Sequence, residues 1–286
     1  MARTVGRNRQ YEWRRTGLPM DAEPERFFSV TTILKGSLPN PALIGWGMKS
    51  VAEYAAANHR QVSAMLKTVR LRKDPEGRYL GVITDPDAVQ SAIDWLKGAP
   101  YRERERKANI GSAVHAQAEA FALGAPLPEP DKDVVPYVAA FRDFLDVWQP
   151  RIEATEATVY NRAVGYAGTL DAIMELPTLG LVLVDLKTGK DIYPEAALQL
   201  AAYRYAEFIG MPDGTEAPVP SVEGCAVLHL REDGWDLLPV IADATVFATF
   251  RHCIEVFRWS DETSRGVIGS PMPLPKTQPV RKARAA

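Results

Sequence analysis

Cysteine is nearly absent: Cys225 and Cys253 are the only two in 286 residues. An iron–sulfur cluster or zinc ribbon held by four thiolates is therefore excluded within one chain, and no disulfide framework is available. The two thiols read as buried residues of a cytosolic protein. Long apolar runs are missing as well. No stretch reaches the ~18 apolar residues of a membrane-spanning helix. The basic opening "MARTVGRNRQYEWRR" leads into no apolar signal segment. The expectation is a cytoplasmic protein with no membrane contact.

What is present suffices for a core, with 46% hydrophobic and 24% charged residues. Charge is unevenly spread. Residues 1–15 carry five arginines against Glu12, and 276–286 carry four basic residues and no acid. Since the total is −2, the body between them carries −10. Basic tails on an acidic body either contact a polyanion or are solvated; acids concentrated in the body can gather a metal.

Pattern and punctuation divide the chain into helices followed by strands. "FFSVTTIL" (27–34) reads as a strand, Pro41–Asn58 as a helix, and 62–82 as mixed around the turn "DPEG". Helices are expected over 84–98, 101–123 and 131–148. Strands follow at 155–161, 168–176 and 181–187, then a helix over 194–209, a hairpin over 222–241 and a helix over 242–259. This order suits an α/β domain with a central mixed sheet flanked by helices. It spans 28–260, with a helical part to 150 and a sheet core from 151, between a basic arm (1–27) and a Pro-rich basic tail (261–286).

Four motifs place chemistry on these elements. In "IGSAVHAQAE", His115 and Glu119 share a helix face, and Gly111 and Ser112 leave room beside them. In "GYAGTLDAI", Asp171 interrupts an apolar strand three residues after Gly168. In "LVLVDLKTGK", Asp185 and Lys187 share a face with Leu181 and Leu183, while Val182, Val184 and Leu186 face the other way. In "EAALQLAAYRYAE", Gln199 and Tyr203 lie four apart on a helix. Taken singly, each has a plain structural reading; Asp185–Lys187, for example, would be a partly buried ion pair. Arg102, Arg106 and Lys107 alternate with Glu103 and Glu105, as a track for nucleic acid or as a salt-bridged face. Asp85 and Asp87 read as helix caps, and His59, His229 and His252 as structural.

In this order and spacing the motifs resemble the PD-(D/E)XK nuclease superfamily. The similarity is greatest to its RecB-like branch, which includes the CRISPR-adaptation exonucleases and many phage exonucleases. That branch carries a helical His, G-x-x-D, D-x-K and Q-x-x-x-Y, matched here by His115, Gly168 with Asp171, Asp185 with Lys187, and Gln199 with Tyr203. The opening "SVTTIL…PALIGW" looks like the phage-encoded group. Many CRISPR-type members hold an iron–sulfur cluster; this chain resembles the cluster-free members.

The resemblance implies a restriction-endonuclease-like core. It implies a magnesium- or manganese-dependent deoxyribonuclease, an exonuclease in preference to an endonuclease, acting in phage DNA replication or recombination in the host cytoplasm. Asp171, Asp185, His115 and the Leu186 carbonyl would ligate one or two ions. Lys187 would orient water or stabilise phosphate charge, with Gln199 and Tyr203 lining the cleft. Glu119 and Glu156 are second-tier acids. Family members often form rings or other oligomers, and a homo-oligomer or a recombination or replication partner is compatible with the sequence. The alternatives are a non-cleaving DNA- or partner-binding module on the same fold, and a hydrolase of small phosphoesters.

Overall fold

A computed structural model describes residues 4–5, 10–17, 19, 21–39 and 41–272. Part of the segment expected as a basic arm belongs to the sheet. β1 (Thr4–Val5), β2 (Gln10–Trp13) and β3 (Glu25–Ser29) pair antiparallel in sequence order. Trp13 holds β2 down. It is buried against Phe27, Tyr160 and Phe208, and its indole N–H donates to Glu216 at 3.1 Å. Burying such a side chain is worth about 2–3 kcal/mol, enough to dock a short strand that charge alone would leave in water. The boundary expected at residue 28 therefore falls inside β3.

The strand expected over 27–34 stops at Ser29. Val30, Ile33 and Leu34 are buried at helical spacing, and α1 (Val30–Ser37) takes over. α2 (Pro41–Ala57) and α3 (His59–Leu66) follow. The mixed region continues as a separate two-stranded hairpin, β4 (Val69–Lys73) and β5 (Tyr79–Thr84). α4 (Pro86–Lys97) is capped by Asp85, which accepts the Asp87 N–H. α5 (Ala99–Ala122) comes next. α6 (Val135–Trp148) starts later than the expected residue 131, with Pro136 in its first turn.

Three long strands then meander antiparallel: β6 (Arg151–Asn161), β7 (Tyr166–Leu176) and β8 (Gly180–Lys187). α7 (Glu195–Arg204) is shorter than the expected 194–209, because Phe208 turns into the aromatic cluster beside Trp13 and starts β9 (Phe208–Gly210). β10 (Glu216–Pro218) pairs with β9. β11 (Gly224–Arg231) lies parallel to β8 and forms a hairpin with β12 (Gly234–Val240). Asp243 caps α8 (Ala244–Asp261). The expected tail begins with a short 3₁₀ turn at Thr263–Gly266, and residues 273–286 lie outside the described residues.

The protein is α/β: ten strands form one mixed sheet with helices on both faces. α1, α7 and α8 cover the face carrying Ile173, Leu183 and Val227. α5 and α6 cover the face carrying Val182, Val184, Leu186 and Leu228. The alternation along "LVLVDLK" thus sorts its side chains as the sequence pattern requires. Both cysteines are buried free thiols. Among the described residues no helix is long and apolar enough to cross a membrane.

Candidate metal and active site

The site forms where β8 parts from β7. Their ladder runs from Leu176↔Gly180 to Ala172↔Val184, and β3 takes the same strand only at Tyr166 and Ala167. Beyond Val184 the Leu186 N–H has a different acceptor: Oδ2 of Asp171, at 2.6 Å. A side-chain carboxylate thus replaces a rung of the sheet and fixes the carboxylate at the fork.

Opposite Asp171 on β6 stands Glu156, between the pairs Thr155↔Ala172 and Ala157↔Leu170. Its φ of 47° is left-handed, unusual inside a strand. For a non-glycine residue this costs about 1–2 kcal/mol. The twist breaks the in–out alternation, so that Ala154 and Ala157 both pack against the core cluster that holds Leu170 and Ile173. It brings the Glu156 carboxylate within 3.0 Å of His115 Nδ1, which lies 3.6 Å from Oδ1 of Asp171. His115, Glu156 and Asp171 each present a ligand atom within 4.8 Å of the others. Glu156, expected as a second-tier acid, thus stands in the one group of described residues that could hold a metal ion. A strand glutamate gives no sequence signal of a left-handed backbone.

Asp185 lies on the other side of the fork and is 1% exposed. Its Oδ1 accepts hydrogen bonds from Lys187 Nζ at 2.9 Å and Gln199 Nε2 at 3.1 Å. Lys187 Nζ is also 2.7 Å from Oδ2, but Oδ2 accepts no hydrogen bond; the contact is ionic, without hydrogen-bond geometry. Gln199 donates as well to the Tyr203 hydroxyl at 3.3 Å. Tyr203 lies flat on β7 at Gly168, where a Cβ would fall 2.5 Å from its ring. The glycine of G-x-x-D is thus the space that admits the tyrosine of Q-x-x-x-Y. On α5, Gly111 lets the helix approach Thr188 in the loop after Lys187, and an added Cβ would sit 3.4 Å from its hydroxyl.

Electrostatics single out the fork. Burial and the neighbouring Asp185 push the Asp171 carboxyl up to about 7, against the opposing pull of His115, Lys187 and the Leu186 N–H. Burial pulls the His115 imidazole down, but the Glu156 hydrogen bond and the charges of Asp171 and Glu156 outweigh it, so its pKa is raised. Burial, then Asp171 and Asp185, raise the Tyr203 phenol. The cluster of His115, Glu156 and Asp171 could hold a hard divalent cation, and two carboxylates with one imidazole suit magnesium or manganese; Asp185, its Oδ2 paired with Lys187, lies beside that cluster and not in it. Leu186 enters the site through its N–H; its side chain is buried on the far face of the sheet.

The remaining expected residues lie elsewhere. Arg102 stacks over Tyr54 at 4.7 Å and donates to the Trp95 carbonyl, fastening α5 to α2 and α4. Arg106 pairs with Glu103 and Asp133, and Lys107 with Glu103. Of the two readings for that stretch, the salt-bridged face describes these contacts. Glu119 is exposed, and with Glu156 it lines one end of a groove of about 1040 Å³. The same groove is lined by the acids Glu12 and Asp213, by Thr158 and Thr169, and by Tyr11, Arg14 and Arg15. Those three belong to the segment expected as a solvated or DNA-contacting arm. No protein-family model matches the chain, and no curated protein matches it.

Proposed function

We propose that this protein is a metal-dependent DNA exonuclease with a restriction-endonuclease-like core of the PD-(D/E)XK type, serving phage DNA replication or recombination. One observation carries the reading. Asp171 and the Asp185–Lys187 pair, on the two strands of one hairpin, meet at the fork between β7 and β8, joined there by His115 from one helical layer and Gln199 from the other. An ordinary buried ion pair needs neither a second carboxylate raised to about 7 nor a left-handed glutamate beside it.

Asp171, Glu156 and His115 would hold magnesium or manganese, with Asp185 beside them. A divalent cation supplies a polarised phosphoryl oxygen and a bound water of lowered pKa. The chain's own groups do the rest. Gln199 holds Asp185 through Oδ1, and Gln199 is itself held by its contact with the Tyr203 hydroxyl. The Lys187 ammonium, about one-third exposed, faces the cleft and can stabilise charge growing on a phosphate oxygen. The long helical region before the sheet core and the basic N-terminal segment favour a polymeric substrate over a small phosphoester.

The test incubates end-labelled linear DNA and a covalently closed circle with wild type and with Lys187→Ala, in magnesium, manganese or EDTA. Metal-dependent shortening of the linear DNA alone, lost in the variant, is expected. Cutting of the circle would make the enzyme an endonuclease. Binding without cutting under either metal would establish the non-cleaving module and return Asp185–Lys187 to an ion pair.

A further inference from the structure

The hairpin of β4 and β5 is an anomaly of burial. Every described side chain on its two strands is exposed, including Leu71 at 58% and Tyr79 at 65%. The preceding α3 has no buried residue. An isolated two-stranded hairpin gains little stability in water, so exposed apolar and aromatic side chains on both its strands call for a partner.

Charge selects the partner. Residues 59–84 carry six basic residues against Asp74 and Glu76, in a chain whose total is −2. Two of the six are used internally: Arg70 binds Asp85 and Asp87, and Arg78 binds Asp74 and Glu76. Among the described residues no ion pair engages Lys67, Arg72 or Lys73, and Lys73 sits 4.7 Å above the Tyr79 ring. Cations interleaved with an aromatic and aliphatic side chains suit a nucleic-acid strand, whose phosphates meet the cations and whose bases stack on the tyrosine.

Position fits as well. The hairpin hangs between α3 and α4, and α4 is tied to α5 near Arg102 through Trp95. Arg102 lies thirteen residues before His115 on α5, about 20 Å along the helix.

We infer that the β4–β5 hairpin is a second nucleic-acid contact, gripping the substrate outside the fork through Arg72, Lys73 and Tyr79. The inference rests on the polynucleotide substrate proposed above. It is tested by fluorescence anisotropy with labelled single- and double-stranded oligonucleotides in EDTA, across a salt series. The proteins are wild type, Arg72→Ala/Lys73→Ala and Tyr79→Ser, with a thermal melt to verify folding.

Loss of two phosphate contacts should make the slope of log Kd against log salt shallower by about 1.4 for single strands and about 1.8 for duplex. Tyr79→Ser should weaken binding and leave the slope unchanged. Hydrolysis of bis-p-nitrophenyl phosphate, too small to reach the hairpin, should be that of wild type. Unchanged affinity and slope in both variants would overturn the inference and assign the apolar hairpin to a protein contact, whether or not the chain cuts DNA. A shallower slope in a protein that cuts nothing would uphold the hairpin and remove the nuclease reading. Absence of DNA binding by wild type would overturn both.

Discussion

Replacing Asp171 by asparagine separates a ligand held under electrostatic strain from a structural carboxylate. The side chain is 10% exposed, and burial and Asp185 raise its carboxyl from 3.8 to about 7. The folded protein therefore binds this proton more tightly than the unfolded chain. The associated stability is present in full below the unfolded pKa and is lost as pH rises to about 7. At 1.36 kcal/mol per unit this amounts to at most about 4 kcal/mol. His115, also raised, acts with the same sign: its contribution is lost as pH climbs through its folded pKa. Asparagine keeps the shape and an oxygen for the Leu186 N–H but carries no charge. In EDTA near pH 8 the variant should be more stable than wild type by about 2–4 kcal/mol. At about 2 °C per kcal/mol for a chain of this length, Tm rises by roughly 4–8 °C. Its Tm should also vary less between about pH 5 and pH 8 than that of wild type. In manganese the difference should shrink to about 1 kcal/mol or less in either direction. Wild type gains about 2.7 kcal/mol at a hundredfold excess over Kd, whereas the variant, lacking a ligand, gains little. Differential scanning calorimetry at both pH values, with EDTA or manganese, reads all of this. A variant less stable than wild type in EDTA near pH 8 would show that the Asp171 charge supports the fold, and the reasoning would be refuted.

Two further substitutions test the surroundings of the fork. Gly168→Ala should cost about 1–3 kcal/mol by overpacking against the Tyr203 ring. It should also slow cleavage while manganese affinity is retained; wild-type stability and rate in the variant would remove the packing argument. Glu156→Gln should lower the His115 pKa, read by NMR titration, and weaken manganese binding by roughly tenfold to a hundredfold, read by calorimetry. An unshifted histidine titration would mean that the 3.0 Å contact does not persist in solution.

Much of the core was legible because burial imposes period. "LVLVDLK" alternates, and its residues divide between the two core clusters as alternation demands. The order of the five longer strands after residue 150 was readable from turn residues, and so was the Asp85 cap. Illegible elements are those held by distant partners. β2 reads as a charged arm because its strand character depends on Trp13 meeting Tyr160 and Phe208. Phe208 and Ile209 read as the end of a helix, yet they form β9 through pairing with β6. The hairpin at 69–84 shows no burial pattern because, among the described residues, none buries its strands.

The candidate site divides along the same line. Sequence alone determined which residues are candidates for the proposed chemistry: His115, Asp171, Asp185, Lys187, Gln199 and Tyr203 are chemical types at spacings that local geometry converts into shared faces. Why Gly168 must be glycine, why Asp171 takes the Leu186 N–H, and why Glu156 joins the ligands were decided only by the tertiary structure. Each depends on atoms brought together from elements separated in sequence: a ring from α7 lying on β7, a strand leaving its ladder, and a backbone twist on β6 facing a histidine on α5. Local sequence sets which face a side chain occupies. The distance between two faces is set by how the layers pack, and coordination and pKa depend on that distance.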